Sequence, residues 1–378
     1  MSTDLTLFSQ TRQIVDLRPD DVKKAVFLAQ EQGIDVQNHS GFQSAFEHLQ
    51  NEAKKREDKF SPASISRFYS AWEVFVSWCI QHNQPSLPTT PKILEDFFKQ
   101  AAETKHRQTL GVYRWAIGRM HRISGCPDPF LDEFLKDTLA GISRMKVSAG
   151  EQIAQATPFN GHHLDQLIEL WGGHKQLVCR RDLALLTVAY ETLLRETELC
   201  NIRIQDLKIN RARGTATLTI PVTKTNHSGK PDTAHLSNEC VSLLLEYADM
   251  AGFSLRGKDK GYVFRGVSKH NTSIQPKVDP LTKAVLHTPL TRHTVIGIFE
   301  KAFYALNMQD EEDKPWSGHS ARVGGAQDLL LAGYSIPAIQ QAGRWKSEIM
   351  VYRYCRDILA EQGAMAQHRS HRIRNKEL

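Results

Sequence analysis

Through the first 145 residues, apolar side chains recur three and four positions apart, the spacing that lines one face of an α-helix. Across 61–83 the stripe is Ile65, Phe68, Trp72, Phe75 and Cys79, opened by Ser61 as a cap and Pro62 at the first helical position. Thr90 and Pro91 repeat that start signal before Ile93, Leu94, Phe97, Phe98 and Ala101. Over 107–122, Leu110, Tyr113, Ile117 and Met120 face inward while Arg107, Arg114, Arg119 and Arg122 supply charge around them. Shorter helices are expected at 19–33, 42–57 and 129–144. This pattern predicts a small helical bundle with basic edges over residues 1–145.

From Lys146 to Pro158 the stripe lapses into small residues, Gly150 and Pro158, so 146–158 reads as an interdomain linker. Helical spacing returns at 161–172 and 180–202, the latter apolar enough at LALLTVAY to be buried on most sides. In TATLTIP the period changes to two, with Ala216, Leu218 and Ile220 alternating with threonines, as in a half-buried strand. A second strand is expected at 232–236, joined to the first by the polar turn TKTNHSGKP with Lys224 at its tip. Helices resume at 237–251, 291–306, 320–333, 335–343 and 346–359, and a basic tail follows from Gln367. The expected fold is mainly α: a helical-bundle domain at 1–145, then a mainly helical domain at 159–378 carrying a small antiparallel sheet.

The length of 378 residues suits two cores rather than one. With 40% hydrophobic and 24% charged residues the chain is neither low in complexity nor too polar to pack. A net charge of +6 leans toward a polyanionic partner. The six cysteines are dispersed without a CxxC pair, which argues against disulfides and zinc. The opening MSTDLTLFSQTRQ is not a signal peptide, and no apolar run is long enough to span a membrane, so a cytoplasmic protein is expected.

Nucleotide cradles, HExxH and the Gly-x-Ser-x-Gly elbow are all missing from the sequence, which lowers the weight of ATP, zinc and acyl-transfer chemistry. What stands out is a set of polar residues late in the chain: His319 and Arg322, Gly343-Arg344-Trp345, and Tyr352 and Tyr354. His319 and Arg322 stand one helical turn apart and could share an oxyanion, although a capping histidine beside a surface arginine fits the spacing as well. Arg195 and Glu198, also three apart, suit an intrahelical ion pair. Two arginines, a histidine, a tip lysine, an indole donor and a tyrosine together suit metal-free transesterification at a phosphodiester. Guanidinium forks would hold the non-bridging oxygens, tyrosine would act as nucleophile, and lysine would protonate the leaving oxygen.

The ordered set Leu193-Leu-Arg195 with Glu198, Thr223-Lys224-Thr225, His319-Ser-Ala-Arg322, Gly343-x-Trp345 and Tyr354 nine residues later resembles the tyrosine site-specific recombinases of the phage integrase family, in particular the Cre-like branch. The resemblance runs from about Pro19 to Ala366. It implies a C-shaped clamp on duplex DNA and a reaction with no cofactor and no metal. Tyr354 would form a 3′-phosphotyrosine, Arg195 and Arg322 would bind the phosphate, His319 and Trp345 would donate to its oxygens, Lys224 would be the general acid, and Glu198 would support the arginine or the histidine. Tyr352, two residues from Tyr354, would face elsewhere on a helix. Arg344 takes a place where a small residue is usual.

By the same resemblance, Ala63, Ser64 and Arg67, with Lys105, His106, Arg107, Gln108 and Thr109, would approach the major groove and its phosphates. Arg265, Lys269 and His270 would meet the backbone, and Arg292 and His293 bases or phosphates. The segment 358–366 resembles a terminal helix donated to a neighbouring subunit, implying a homotetramer on two inverted-repeat sites and exchange through a Holliday junction. A type IB topoisomerase or a non-catalytic DNA-binding protein on the same fold would share much of this pattern.

Overall fold

A computed structural model describes residues 17–221, 230–256 and 261–363, except 272, 275, 276, 279, 280, 283, 284, 287 and 313, together with 365, 368 and 369. The chain forms two compact units, residues 1–153 and 154–378.

In the first unit, α1 (Pro19–Glu31) and α2 (Ser40–Lys54) enclose one core with Val22, Val26, Phe42, Phe46 and Cys126. A second core lies among α3 (Pro62–Gln81), α4 (Pro91–Thr104), α5 (Arg107–Ser124) and α6 (Glu133–Ser148). The capping signals act as their chemistry requires: Ser61 accepts from the Ser64 N–H and Thr90 from the Ile93 N–H, each relieving an orphan donor at a helix start. Phe68, Phe75 and Cys79 of the α3 stripe are buried against Phe97 and Phe98 of α4 and Ile117 of α5. Helix α6 runs to Ser148, so its last three residues occupy the start of the segment read as a linker; 151–160 has no regular structure.

The second unit is organised around α8 (Leu177–Thr192), which is buried nearly all round. Helices α7 (Gly161–Trp171), α10 (Asn238–Met250), α11 (Arg292–Ala305) and α12 (Ser320–Leu331) pack against it. Strands β1 (Leu207–Asn210), β2 (Thr215–Ile220) and β3 (Asp232–Leu236) form an antiparallel sheet in that order. Ala216, Leu218, Ile220 and Leu236 face the core, so the alternation read in β2 is its buried face. Strand β1 and a two-residue hairpin, β4 (Lys277–Val278) with β5 (Val285–Leu286), go beyond the expected elements. Helices α13 (Ile336–Gly343), α14 (Ile349–Tyr354) and α15 (Arg356–Glu361) complete the unit.

Two expected helices are broken. The 180–202 segment stops at Leu193, which adopts left-handed backbone (φ 50°), and restarts as the short α9 (Glu196–Cys200). The 346–359 segment is divided at Cys355 into α14 and α15. Among the described residues, no helix is long and apolar enough to cross a membrane.

Candidate active site

The break at Leu193 builds the site. A left-handed leucine costs roughly 1–2 kcal/mol, and here polar contacts from elsewhere in the chain hold it. Arg322, on α12, donates to the Leu193 carbonyl and, at 3.1 Å, to that of Gly343. Arg344, itself left-handed (φ 52°), donates to the carbonyl of Thr192. Two guanidiniums therefore cap the C-terminal end of α8, where free carbonyls and the helix dipole favour cations. The chain then turns so that Arg195 opens α9 with its side chain only partly exposed.

Glu198 fixes Arg195: one carboxylate oxygen accepts from its backbone N–H at 2.8 Å, the other from its guanidinium at 2.9 Å. Arg322 is 2% exposed. Desolvation first, and the like charge of Arg195 second, pull its pKa down to about 10. Burial likewise lowers Arg344.

The Trp345 indole lies with its ring centre 5.0 Å from the Arg322 guanidinium carbon and 5.5 Å from the Tyr354 ring, edge to face. Its Nε1–H is buried and has no partner among the described residues. A buried donor left unpaired costs about 1–3 kcal/mol, so this position suits an acceptor that the described residues do not supply. Tyr354, 8% exposed, ends α14 and packs with Leu193, Val323 and Trp345. Its own carbonyl accepts from Gln327 at 3.0 Å and Gln155 at 3.3 Å. Tyr352 is exposed. A cleft of about 440 Å3 brings Tyr354 together with His319, Ser317, Met350 and Arg353.

Of the two partners left open for Glu198, the structure pairs it with the arginine, and another carboxylate stands by His319. Glu198 serves Arg195, whereas Glu196, not singled out in the sequence, stands 3.2 Å from His319 Nδ1 and 2.7 Å from Arg292 Nε. Burial pushes the Glu196 carboxyl upward, yet His319 and Arg292 hold it at about 2. Trp316, at the head of the histidine motif, is core: its indole donates to the Pro158 carbonyl at 3.0 Å and packs on Phe159. Lys224 lies outside the described residues, beyond the Ile220–Asp232 pair that closes the β2–β3 hairpin.

The surface candidates divide. Ala63, Arg67, Lys105, Gln108, Lys269, His270 and His293 are exposed, and Ser64 and Thr109 half-buried. His106 caps α5, and Glu151 gathers it at 3.4 Å, the Arg107 N–H at 3.0 Å and Lys146 at 3.1 Å. Arg265, expected at the DNA backbone, is buried over the Phe253 ring, and its Nε–H donates to the Tyr262 carbonyl at 2.6 Å. Arg292, exposed on the first turn of α11, is tied to Glu196.

Residues 163–361 match the phage integrase family. The Cre recombinase of Escherichia phage P1 is 30% identical to this chain over 82% of it and 88% of Cre. An integrase/recombinase XerD homolog of Selenomonas ruminantium is 24% identical, over 82% of this chain and 86% of that protein. In fold, the chain resembles the XerH site-specific recombinase in its post-cleavage complex with palindromic difH, with a TM-score of 0.57 at 15% identity over 95% of this chain and all of that one. With the family match spanning the segments that carry Arg195, His319, Arg322, Trp345 and Tyr354, the chain belongs to the phage integrase family, the tyrosine recombinases.

Proposed function

We propose that this chain is a site-specific recombinase that cuts and rejoins duplex DNA at inverted-repeat sites through a covalent tyrosine intermediate. The observation that carries the reading is the gathering of cationic and indole donors around one tyrosine. Arg322 and Arg195 are held close enough to repel, and the unpaired Trp345 donor stands beside them, next to Tyr354. A phosphodiester would satisfy all of these groups at once.

In this mechanism the two guanidiniums, the Trp345 indole and His319 bind the non-bridging oxygens, and more tightly as charge grows on them in the pentacoordinate transition state. Tyr354 Oη gives up its proton to solvent and forms a bond to phosphorus as the bond to the 5′ oxygen breaks, giving a 3′-phosphotyrosine. Lys224 protonates the departing 5′ oxygen. The bond made is of the same kind as the bond broken, so rejoining to a second strand runs the same step in reverse and needs no ATP. Exchange between two sites proceeds one strand pair at a time through a Holliday junction. Four copies assemble on two sites, each donating the segment after Leu359 to its neighbour. The palindromic difH substrate held by XerH agrees with recognition of inverted repeats. Exposed Arg67, Lys105, Lys269, His270 and His293 supply the contacts to DNA.

The test is a candidate spacer carrying a nick that traps the adduct, run on a denaturing gel. Wild type and Tyr352→Phe form a 3′ covalent adduct, and Tyr354→Phe forms none. Binding without any adduct from the wild type would mean a non-catalytic DNA-binding protein instead.

A further inference from the structure

Glu196 joins three elements that the reaction needs in register. It is the first residue of α9, its side chain is only 5% exposed, and its two oxygens reach Arg292 on α11 and His319 at the start of α12. The fit is close. A Cβ at position 318 would lie 2.7 Å from the Glu196 Cβ and 3.1 Å from its Oε2, so glycine beside His319 is what lets the carboxylate in. A carboxylate taken out of water needs its cations, and here it stays ionised at any working pH.

We propose that Glu196 is a positioning residue for His319: it holds Nδ1 in its protonated form and turns Nε2 toward the phosphate bound beside Tyr354. Arg292 braces the carboxylate from the other side. Glu196 Oε2 is buried without a hydrogen bond among the described residues and stands 3.2 Å from Nδ1, so a small turn of the ring would give it the Nδ1–H and leave Nε2 for the substrate. His319 and Tyr354 line the same cleft, and Nδ1 is the ring nitrogen that stands near Glu196. Among the described residues, Glu198, two residues on, hydrogen-bonds to Arg195, so this turn of α9 sets two separate carboxylates beside Arg195 and His319. The proposal rests on the recombinase reading, because it assigns a role within the same phosphate site.

The experiment uses the full chain, with DNA affinity and single-turnover adduct formation measured separately on the nicked spacer. Glu196→Gln is expected to bind that DNA within about twofold of wild type and to form adduct roughly 10- to 100-fold more slowly, the range for a carboxylate that orients a histidine. Glu196→Asp should recover part of the rate. In DNA-free protein labelled with 15N-histidine, the His319 signals, assigned with His319→Gln, should show a protonated Nδ1 in wild type and a tautomer mixture in Glu196→Gln. In a His319→Gln background, Glu196→Gln should cost no further rate. An unchanged tautomer, a wild-type rate in Glu196→Gln, or a full additional loss in the double variant would each overturn the proposal. Should the wild type form no adduct at all, the recombinase reading fails instead, and the 15N signals still decide whether Glu196 orients the ring.

Discussion

Arg322 donates to the carbonyl oxygen of Leu193, the residue at which α8 ends and two positions before Arg195. The contact ties the two arginines proposed to bind the phosphate to one peptide: the side chain of one holds the backbone that presents the other. A conservative Arg322→Lys change cannot keep both carbonyl contacts and a phosphate, because an ammonium lacks the planar fork.

The indole Nε1–H of Trp345 should be worth more to the reaction than to the fold. Trp345→Phe keeps a ring against Arg322 and Tyr354 and removes only the unpaired donor. Adduct formation is expected to fall about 100-fold, as for loss of one donor to a developing oxyanion, with little change in melting temperature. A wild-type rate would show that the donor does not serve the phosphate.

Gly343 offers a steric route to the same group. A Cβ there would lie 2.2–2.4 Å from three ring atoms of Trp345, so Gly343→Ala must push the indole away. Overpacking of this kind costs about 1–3 kcal/mol. Thermal melting should report that loss, and single-turnover cleavage should fall more steeply than DNA binding.

His121 makes the first unit sensitive to acid. It is wholly buried, accepts from the Thr89 N–H at 3.0 Å, and has its Nδ1 2.8 Å from the Ile117 carbonyl. Desolvation pushes its pKa down to about 4. The unfolded chain then binds the extra proton between about pH 6.5 and pH 4, so stability is complete above that window and falls as pH drops through it, by about 3 kcal/mol in order of magnitude. His163, in the second unit, is lowered in the same way, so the readout must be local. Hydrogen exchange over α5, corrected for intrinsic rate, should lose protection from pH 7 to pH 5 in wild type and much less in His121→Gln.

Removing the residues after Leu359 should separate binding from assembly. Helix α15 buries none of its side chains, although Leu359 leans on the cluster that holds Tyr354. The truncated chain is expected to shift a single-site DNA as wild type does and to form no synaptic complex on two sites. Undiminished recombination would refute the exchange of this segment between subunits.

Much of this molecule is legible in its sequence because local rules dominate it. Ser61, Pro62, Thr90 and Pro91 begin helices for reasons confined to one turn, and the alternation of Ala216, Leu218 and Ile220 marks a strand that one core buries. The break at Leu193 is not legible. Leucine is a good helix former, and its left-handed turn is imposed by arginines that arrive from α12 and from the end of α13. Glu196 escapes notice for a similar reason: the three-residue spacing directs attention to Glu198, whereas the partners of Glu196 lie far along the chain. Arg265 reads as a surface charge until Phe253 and Tyr262 close over it.

The burial of Arg322 means that its guanidinium gives up much of its hydration when the chain folds, long before any substrate arrives. Its contacts with the Leu193 and Gly343 carbonyls and with the Trp345 ring offset part of that cost, so the water around this cation is removed at folding rather than when an anion binds. DNA bearing the correct site should act on this enzyme as a stabilising ligand as well as a reactant.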